Sequence, residues 1–226
     1  MRRALALSAL IVLAAGCGGS SSHSARFSAN VTNAWFPLRP GAVWTYRGVK
    51  DGEPSREVMR VTGKTRVING ARCVAIDDRL WLSGKLEERT TDYYSQDDRG
   101  NVWYFGENTA ELDRQGNVKT TEGSWMAGVD GARPGIFMYA VPKVGQSAQQ
   151  EFLKGQAEDH FQVLRLGVGV HVPFRSSQQA LLTKEWTPLE PDVLDHKYYL
   201  RGVGTVLEQT VKGGDERNEL VSFSSG

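Results

Sequence analysis

From Ala42 onward the chain alternates apolar and polar residues in short runs, and each run ends on a turn-forming pair. A period of two sends successive side chains to opposite faces, which is the signature of a half-buried strand. In Arg56–Ile68, Val58, Arg60 and Thr62 fall on one face, and Met59, Val61 and Gly63 fall on the other. The pattern predicts strands over Ala42–Val49, Arg56–Ile68, Arg72–Leu82 and Lys85–Gln96, then a short aromatic strand at Asn101–Gly106. Ala110–Asp113 and Val118–Thr121 flank a turn at Gln115-Gly116-Asn117. Asp51-Gly52 and Asn69-Gly70 are hairpin signals, because both residues tolerate the positive φ that a tight two-residue turn demands. The second half repeats the pattern over Ser147–Leu153, Glu158–Val172, Gln178–Trp186, Lys197–Arg201, Val203–Lys212 and Arg217–Phe223, with Gly213-Gly214 as the last hairpin.

Two stretches break the rhythm. Gly123–Gly135 holds too many glycines for a strand interior and reads as a loop crossing an open end of the sheet, part of it packed through Trp125 and Met126. Ser177–Lys184 has room for one helical turn, and no segment has a long 3.6-residue apolar period. About ten to twelve evenly spaced strands give an all-β fold class: an antiparallel meander forming a curved sheet, half-barrel or barrel with little helix. Trp35 and Phe36, in an extended lead-in ending at Pro40-Gly41, are placed to plug one end of the core.

The N-terminus follows different rules. Arg2 and Arg3 precede an apolar run from Ala4 to Ala15 that closes on Gly16-Cys17. That run is shorter than the roughly 20 residues a spanning helix needs, so it reads as a signal peptide. Its ending resembles the lipobox of bacterial lipoproteins, which implies cleavage before Cys17 and diacylation of Cys17. The expected organisation is a signal peptide over residues 1–16, a lipidated flexible tether over 17–32 and a single β domain over 33–226. The implied address is the cell envelope, anchored in a membrane by the N-terminal lipid: outer membrane or periplasmic face in a two-membrane cell, outer face of the plasma membrane otherwise. With Cys17 acylated, Cys73 has no disulfide partner, and its alternating context reads as a buried thiol. Removing residues 1–16 leaves 25 basic against 26 acidic groups, and this balance argues against a nucleic-acid partner.

Two motifs near the ends of the domain carry a resemblance. Pro40-Gly41-Ala42-Val43-Trp44-Thr45-Tyr46 is similar to the opening strand, Pro-Gly-x-x-Trp-x-Tyr, of a family of uncharacterised bacterial exported β proteins, many with lipoboxes. Tyr198–Val206, containing Gly202-Val203-Gly204-Thr205-Val206, is similar to that family's closing Gly-Val-Gly-x-Val. The resemblance implies one domain and a fold, and no reaction.

The usual catalytic signatures (Gly-x-Ser-x-Gly, His-Glu-x-x-His, Cys-x-x-Cys, a phosphate-binding glycine loop) are missing. Glu158-Asp159-His160 and Glu185 through His196 gather ligand-type residues, so Glu158, His160, Glu185 and His196 are candidate ligands for zinc or another divalent ion. Solvated turns around Pro188 and Pro191 account for the same residues. No other cofactor is expected. Asp92, Asp97, Asp98, Glu107 and Glu111 surround Trp103-Tyr104-Phe105, as paired acids surround a sugar in glycosidases, although turn carboxylates explain them equally well. Trp81, Trp103 and Tyr104 are candidate ligand-binding aromatics, with core packing as the alternative. Three functions are open: a non-enzymatic protein that binds or carries a ligand, foremost an apolar one, in the sheet's concavity; a metal-binding module or metal-dependent hydrolase; and a structural or assembly component acting through a protein partner such as an envelope protein. An apolar carrier requires a continuous apolar lining without buried carboxylates. A surface-acting component requires a filled core.

Overall fold

The computed structural model describes residues 26–226, and all regular structure among them is β. A short β1 (Phe27–Ser28) precedes a meander of long hairpins: β2 (Ala42–Lys50), β3 (Glu53–Ile68), β4 (Ala71–Leu82), β5 (Lys85–Asp97) and β6 (Val102–Leu112). Asp51, Asn69 and Ser83 take positive φ at the tips of three successive hairpins, each followed by a glycine that does the same. This is the turn chemistry that Asp-Gly and Asn-Gly predict. Three short strands, β7 (Val118–Thr120), β8 (Trp125–Met126) and β9 (Arg133–Met138), then cover the free edge of β6 in succession. The chain continues through β10 (Ser147–Gln149), β11 (Glu151–Phe152), β12 (His160–Val172), β13 (Arg175–Trp186), β14 (Leu194–Leu200), β15 (Gly204–Lys212) and β16 (Arg217–Ser225).

The order along the sheet is β10-β12-β13-β14-β15-β16-β2-β3-β4-β5-β6-β9-β11. Because β10 and β11 are separated only by Gln150, the two ends of this path belong to one extended segment. Its first half pairs with β12 and its second half with β9, so a single antiparallel sheet is nearly closed into a barrel. Near-closure leaves little unpaired edge for another chain to extend. The last strand, β16, lies against β2, which joins the start of the meander to its end.

Several expectations change. The sheet begins before Asn33: Phe27 packs edge-on against Trp103 and Phe105, and Val31 is fully buried, so residues 27–32 belong to the fold and not to a free tether. Ser177–Lys184 is strand, held between β12 and β14. The two strands expected at Asn101–Gly106 and Ala110–Asp113 are one strand, β6. Gly123–Gly135 contains β8 and the start of β9, and Trp125 is buried there as expected of a packed segment. Cys73 is buried, as its alternation predicts. Cys17 lies outside the described residues.

The lead-in does plug one end. Trp35 and Phe36 are buried, and Phe36 packs against Tyr94 and Phe137. Asn33 fixes the approach, accepting from the backbone N–H groups of Trp35 and Phe36 and donating to the carbonyls of Gly100 and Tyr139. The two resemblance motifs meet inside this end. The Trp44 indole donates to the Val203 carbonyl at 2.7 Å, and the Tyr46 hydroxyl donates to the Thr205 carbonyl at 3.0 Å.

Closure depends on Gly135. A Cβ there would sit 2.2 Å from the Gln149 carbonyl oxygen and 2.5 Å from the Gln150 carbonyl, all backbone atoms of the closing segment. Gly135→Ala is expected to push that segment off β9 and cost about 3 kcal/mol, a fall in Tm of roughly 6–12 °C. Gly63→Ala, where a Cβ meets nothing within 4 Å, is expected to change stability by less than about 0.5 kcal/mol. Thermal melts of the two variants beside the unmodified protein check both expectations.

Candidate functional site

Every strand of a closed sheet turns alternate residues inward. Near the plugged end those positions are aromatic; beyond it they are carboxylates. The result is a cavity of about 250 Å³, walled on one side by Phe36, Tyr94, Tyr104 and Phe137. Eight of its lining residues are acidic and one, Lys197, is a cation.

The acids come from successive strands. Glu57 on β3, Asp78 on β4, Asp92 on β5 and Glu107 on β6 form one arc. Asp92 and Glu107 are directly opposed in the ladder. Strict alternation from Tyr104 would aim residue 107 outward, but the register slips between β5 and β6 at Gly106. That glycine has φ 140°, and a Cβ on it would meet the Trp125 carbonyl oxygen at 2.5 Å. The bulge shifts the phase, so Tyr104 and Glu107 share the inner face. A second slip, between β14 and β15, does the same for Thr205 and Glu208.

Proton bookkeeping follows from one hydroxyl. Tyr104 Oη lies 2.6 Å from Asp92 Oδ1 and 3.0 Å from Glu107 Oε2. A phenol has a single proton to donate. If Tyr104 donates to Asp92, the contact with Glu107 requires a proton on Glu107. Burial, then the charges of Asp92 and Glu151, push the Glu107 carboxyl up to about 9, which agrees. Burial likewise raises Glu57 and Asp92 to about 7, and Glu151 to about 8. Asp78 is raised by burial and by Glu57 beside it. Glu57 already accepts from the Asn218 amide at 2.6 Å. Several carboxylates therefore hold protons near neutral pH, because several ionised acids cannot share one poorly hydrated space.

Opposite this arc, Lys197 on β14 is clamped between Glu185 at 3.0 Å and Glu208 at 3.1 Å. Glu185 also accepts from the hydroxyls of Tyr199 and Thr183. Burial alone would lower the Lys197 pKa, but Glu185 and Glu208 more than reverse this and hold the ammonium charged. Asp159, Glu185, Lys197 and Glu208 also line a second cavity of about 190 Å³, to which Trp186, Glu190 and Asp195 contribute. The Lys197 cluster is thus the partition between two acidic chambers.

The proposed metal ligands do not assemble. Glu185 points inward, whereas His196 neighbours Lys197 along β14 and so projects to the opposite face of the sheet. His160 stacks on Trp186 and bonds the Glu158 carbonyl through Nδ1, and the Glu158 carboxylate accepts from the Gly155 N–H. No group of three His, Cys, Asp or Glu side chains that could hold a metal ion occurs among the described residues. Of the aromatic candidates only Tyr104 reaches the cavity. Trp81 lies under the Arg56 guanidinium, and Trp103 donates its indole N–H to Asp97, which ties the β5–β6 turn. Of the acids grouped around Trp103–Phe105, Asp92 and Glu107 meet; Asp97 and Glu111 serve a turn and a surface ion pair. The cavity is not the continuous apolar lining that an apolar cargo requires, nor is the interior filled as a purely surface-acting component requires.

Neither a protein-family model nor a curated protein sequence matches the chain. A crystal structure of a candidate lipoprotein from Parabacteroides distasonis ATCC 8503 is similar, with a TM-score of 0.45 and 11% identity over 84% of this chain and 97% of that one. A likeness at this score adds nothing to what the geometry says.

The buried acids set a pH dependence. A carboxyl raised from 4.5 to about 9, as Glu107 is, binds its proton in the folded chain and has lost it in the unfolded chain across that interval. The folded state then carries more protons, so stability is fullest below about 4.5 and falls as pH rises towards 9. Glu57, Asp92 and Glu151 act with the same sign over narrower windows ending at about 7, 7 and 8. Melting is expected to drop by roughly 5 °C or more between pH 5.5 and pH 9. Glu107→Gln, which keeps a neutral partner for Tyr104, is expected to flatten that slope when Tm is followed across the range.

Proposed function

We propose that this chain is a cell-envelope lipoprotein, anchored through Cys17, whose barrel binds a small organic cation in the acidic, aromatic-walled cavity. The observation that carries the reading is the imbalance of the lining, with eight carboxylates facing the single ammonium of Lys197. Without a bound cation the excess charge would be held down by shared protons, in line with the raised carboxyls of Glu57, Asp92, Glu107 and Glu151. An entering ammonium offers the same compensation with three donors, so it exchanges for a proton on the Asp78, Asp92 and Glu107 arc. Tyr94 and Tyr104, stacked on each other with centroids 4.6 Å apart, line the same cavity as the acids. Glu185 and Glu208 around Lys197 supply the pattern in miniature: a primary ammonium held by two carboxylates inside the barrel. At about 250 Å³ the cavity is below the range of drug-sized sites, which fits a compact ligand.

The test is thermal stabilisation of the full-length chain by n-butylamine at pH 7.5, with sodium chloride at equal ionic strength and n-butanol as comparators. A saturable rise in Tm of about 5 °C at a hundred times Kd is expected from the amine alone. Asp78→Asn is expected to shift the curve to higher amine concentration. Equal shifts from amine, salt and alcohol, or none from any of them, would overturn the reading.

A further inference from the structure

The chain enters the fold on a basic face. Arg26 precedes β1, which pairs with the end of β5 beside the turn that holds Arg99. The Ser95 hydroxyl lies 3.1 Å from the Ser28 carbonyl oxygen and 2.8 Å from that of Arg72, so Arg72 stands next to the entering strand. Arg66 is opposite Cys73 in the β3–β4 ladder, one residue further on. Arg39, at the end of the lead-in, and Gly202, beside Arg201, line one small crevice at the plugged end. The Arg201 guanidinium rests 5.0 Å from the centroid of the Trp35 ring. All six arginines are exposed, and none belongs to an ion pair among the described residues. Against them stand Asp98, the buried Asp97, whose carboxylate accepts from the N–H groups of Arg99 and Asn101, and Asp130, in the loop whose Gly128 abuts the Asn69 side chain. At the opposite end the sign reverses: the turns after β2, β13 and β15 hold Asp51, Glu190, Asp192, Asp215 and Glu216 and no base. A chain that is nearly neutral in total is therefore polarised from end to end.

Exposed apolar residues share the basic face. Val67 is 64% exposed and pairs with Arg72, Val129 follows Gly128, and Val141 follows Ala140, whose N–H is held by Asn101 at the β5–β6 turn. Arginines interspersed with bare valines suit a phospholipid headgroup layer, where the guanidinium pairs with phosphate and an apolar side chain reaches the acyl boundary. The position of the N-terminus favours the same partner. Cys17 precedes Arg26 by nine residues, a reach of at most about 30 Å, so a lipid on Cys17 would keep this face near the bilayer. We propose that the face docks on the anionic lipid surface in which the chain is anchored, turning the acidic end away from the membrane. Each charge brought within a Debye length of such a surface adds to the attraction, while the acidic end is repelled. This inference rests on the reading of Cys17 as the anchor and is independent of the cation reading.

The experiment maps arginine reactivity on the membrane-bound protein. The full-length chain is expressed in a bacterial host that processes lipoproteins, and the membrane-extracted product is reconstituted into vesicles. One set is phosphatidylcholine alone, and in the other phosphatidylglycerol makes up about a third of the lipid. Phenylglyoxal modification is then read peptide by peptide by mass spectrometry. Arg39, Arg99 and Arg201 are expected to be protected on the anionic vesicles and reactive on the neutral ones, with Arg114, in the β6–β7 turn, reactive on both. Arg39→Gln combined with Arg201→Gln is expected to restore the reactivity of Arg99 and Arg72, since each charge removed weakens surface binding roughly fivefold. Arg114→Gln is expected to leave the protection unchanged. Equal reactivity on both kinds of vesicle would overturn the inference and leave the basic face to an acidic protein. Protection of Arg114 in place of Arg39 and Arg201, or protection that persists in the double variant, would overturn it as well. The mass of the N-terminal peptide in the same digest reports whether Cys17 carries the lipid, so failure of the anchor and failure of the docking are told apart.

Discussion

Closing an antiparallel sheet on itself forces alternate residues of every strand into one shared interior, and whatever stands there must be packed, paired or hydrated. In this protein the interior is divided. At one end Trp35, Phe36, Trp44 and Tyr94 fill it, and burial of large aromatics there supplies a major share of the stability, since the described residues hold no disulfide. Beyond that plug the inward positions are carboxylates, which cannot be buried as a crowd of ions. The cavity, the raised pKa values, the clamped Lys197 and the proton between Tyr104 and Glu107 are all answers to that one constraint.

The closing segment places the site as well as the barrel wall. Ser147–Phe152 pairs on both sides, with Gln150 between its two ladders and Glu151 at the start of the second, and both residues line the cavity. Gly135 allows this by having no side chain where two backbones nearly touch. Stability and the cavity's lining are therefore coupled at one place, since displacing the closing segment displaces two of the lining groups.

Much of the fold was legible in the sequence because alternation and turn chemistry act locally. Asp51-Gly52 and Asn69-Gly70 announce their hairpins, and strand boundaries such as Arg72–Leu82 fall close to those observed, Ala71–Leu82. The site was not legible in the same way. Alternation shows that two faces exist but not which one is inside, so an inward Glu57 or Asp78 reads as an ordinary solvated residue. The slips at Gly106 and beside Thr205 reverse the phase within a strand, and no period-two pattern anticipates them. Signals were nevertheless present. Asp92 and Glu107 sit in mid-strand and not at turns, and folding back about the turn at Asp97–Gly100 brings them within one residue of opposition, which the slip at Gly106 completes into an acid–acid pair of the kind that normally destabilises a ladder. The acid and histidine runs at Glu158–His160 and Glu185–His196 drew attention through local density, which says nothing about the face of the sheet each residue takes.

On the cation reading, protons and organic cations compete for the same carboxylates. Titrating n-butylamine into the protein at pH 7.5 in two buffers of different ionisation enthalpy measures this directly, because each proton released is taken up by the buffer with a known heat. Exchange on the Asp78, Asp92 and Glu107 arc predicts release of up to about one proton per ammonium bound, and hence a binding heat that differs between the buffers in that proportion. A binding heat independent of the buffer would contradict the exchange, and with it the view that shared protons are what hold this acidic cavity together.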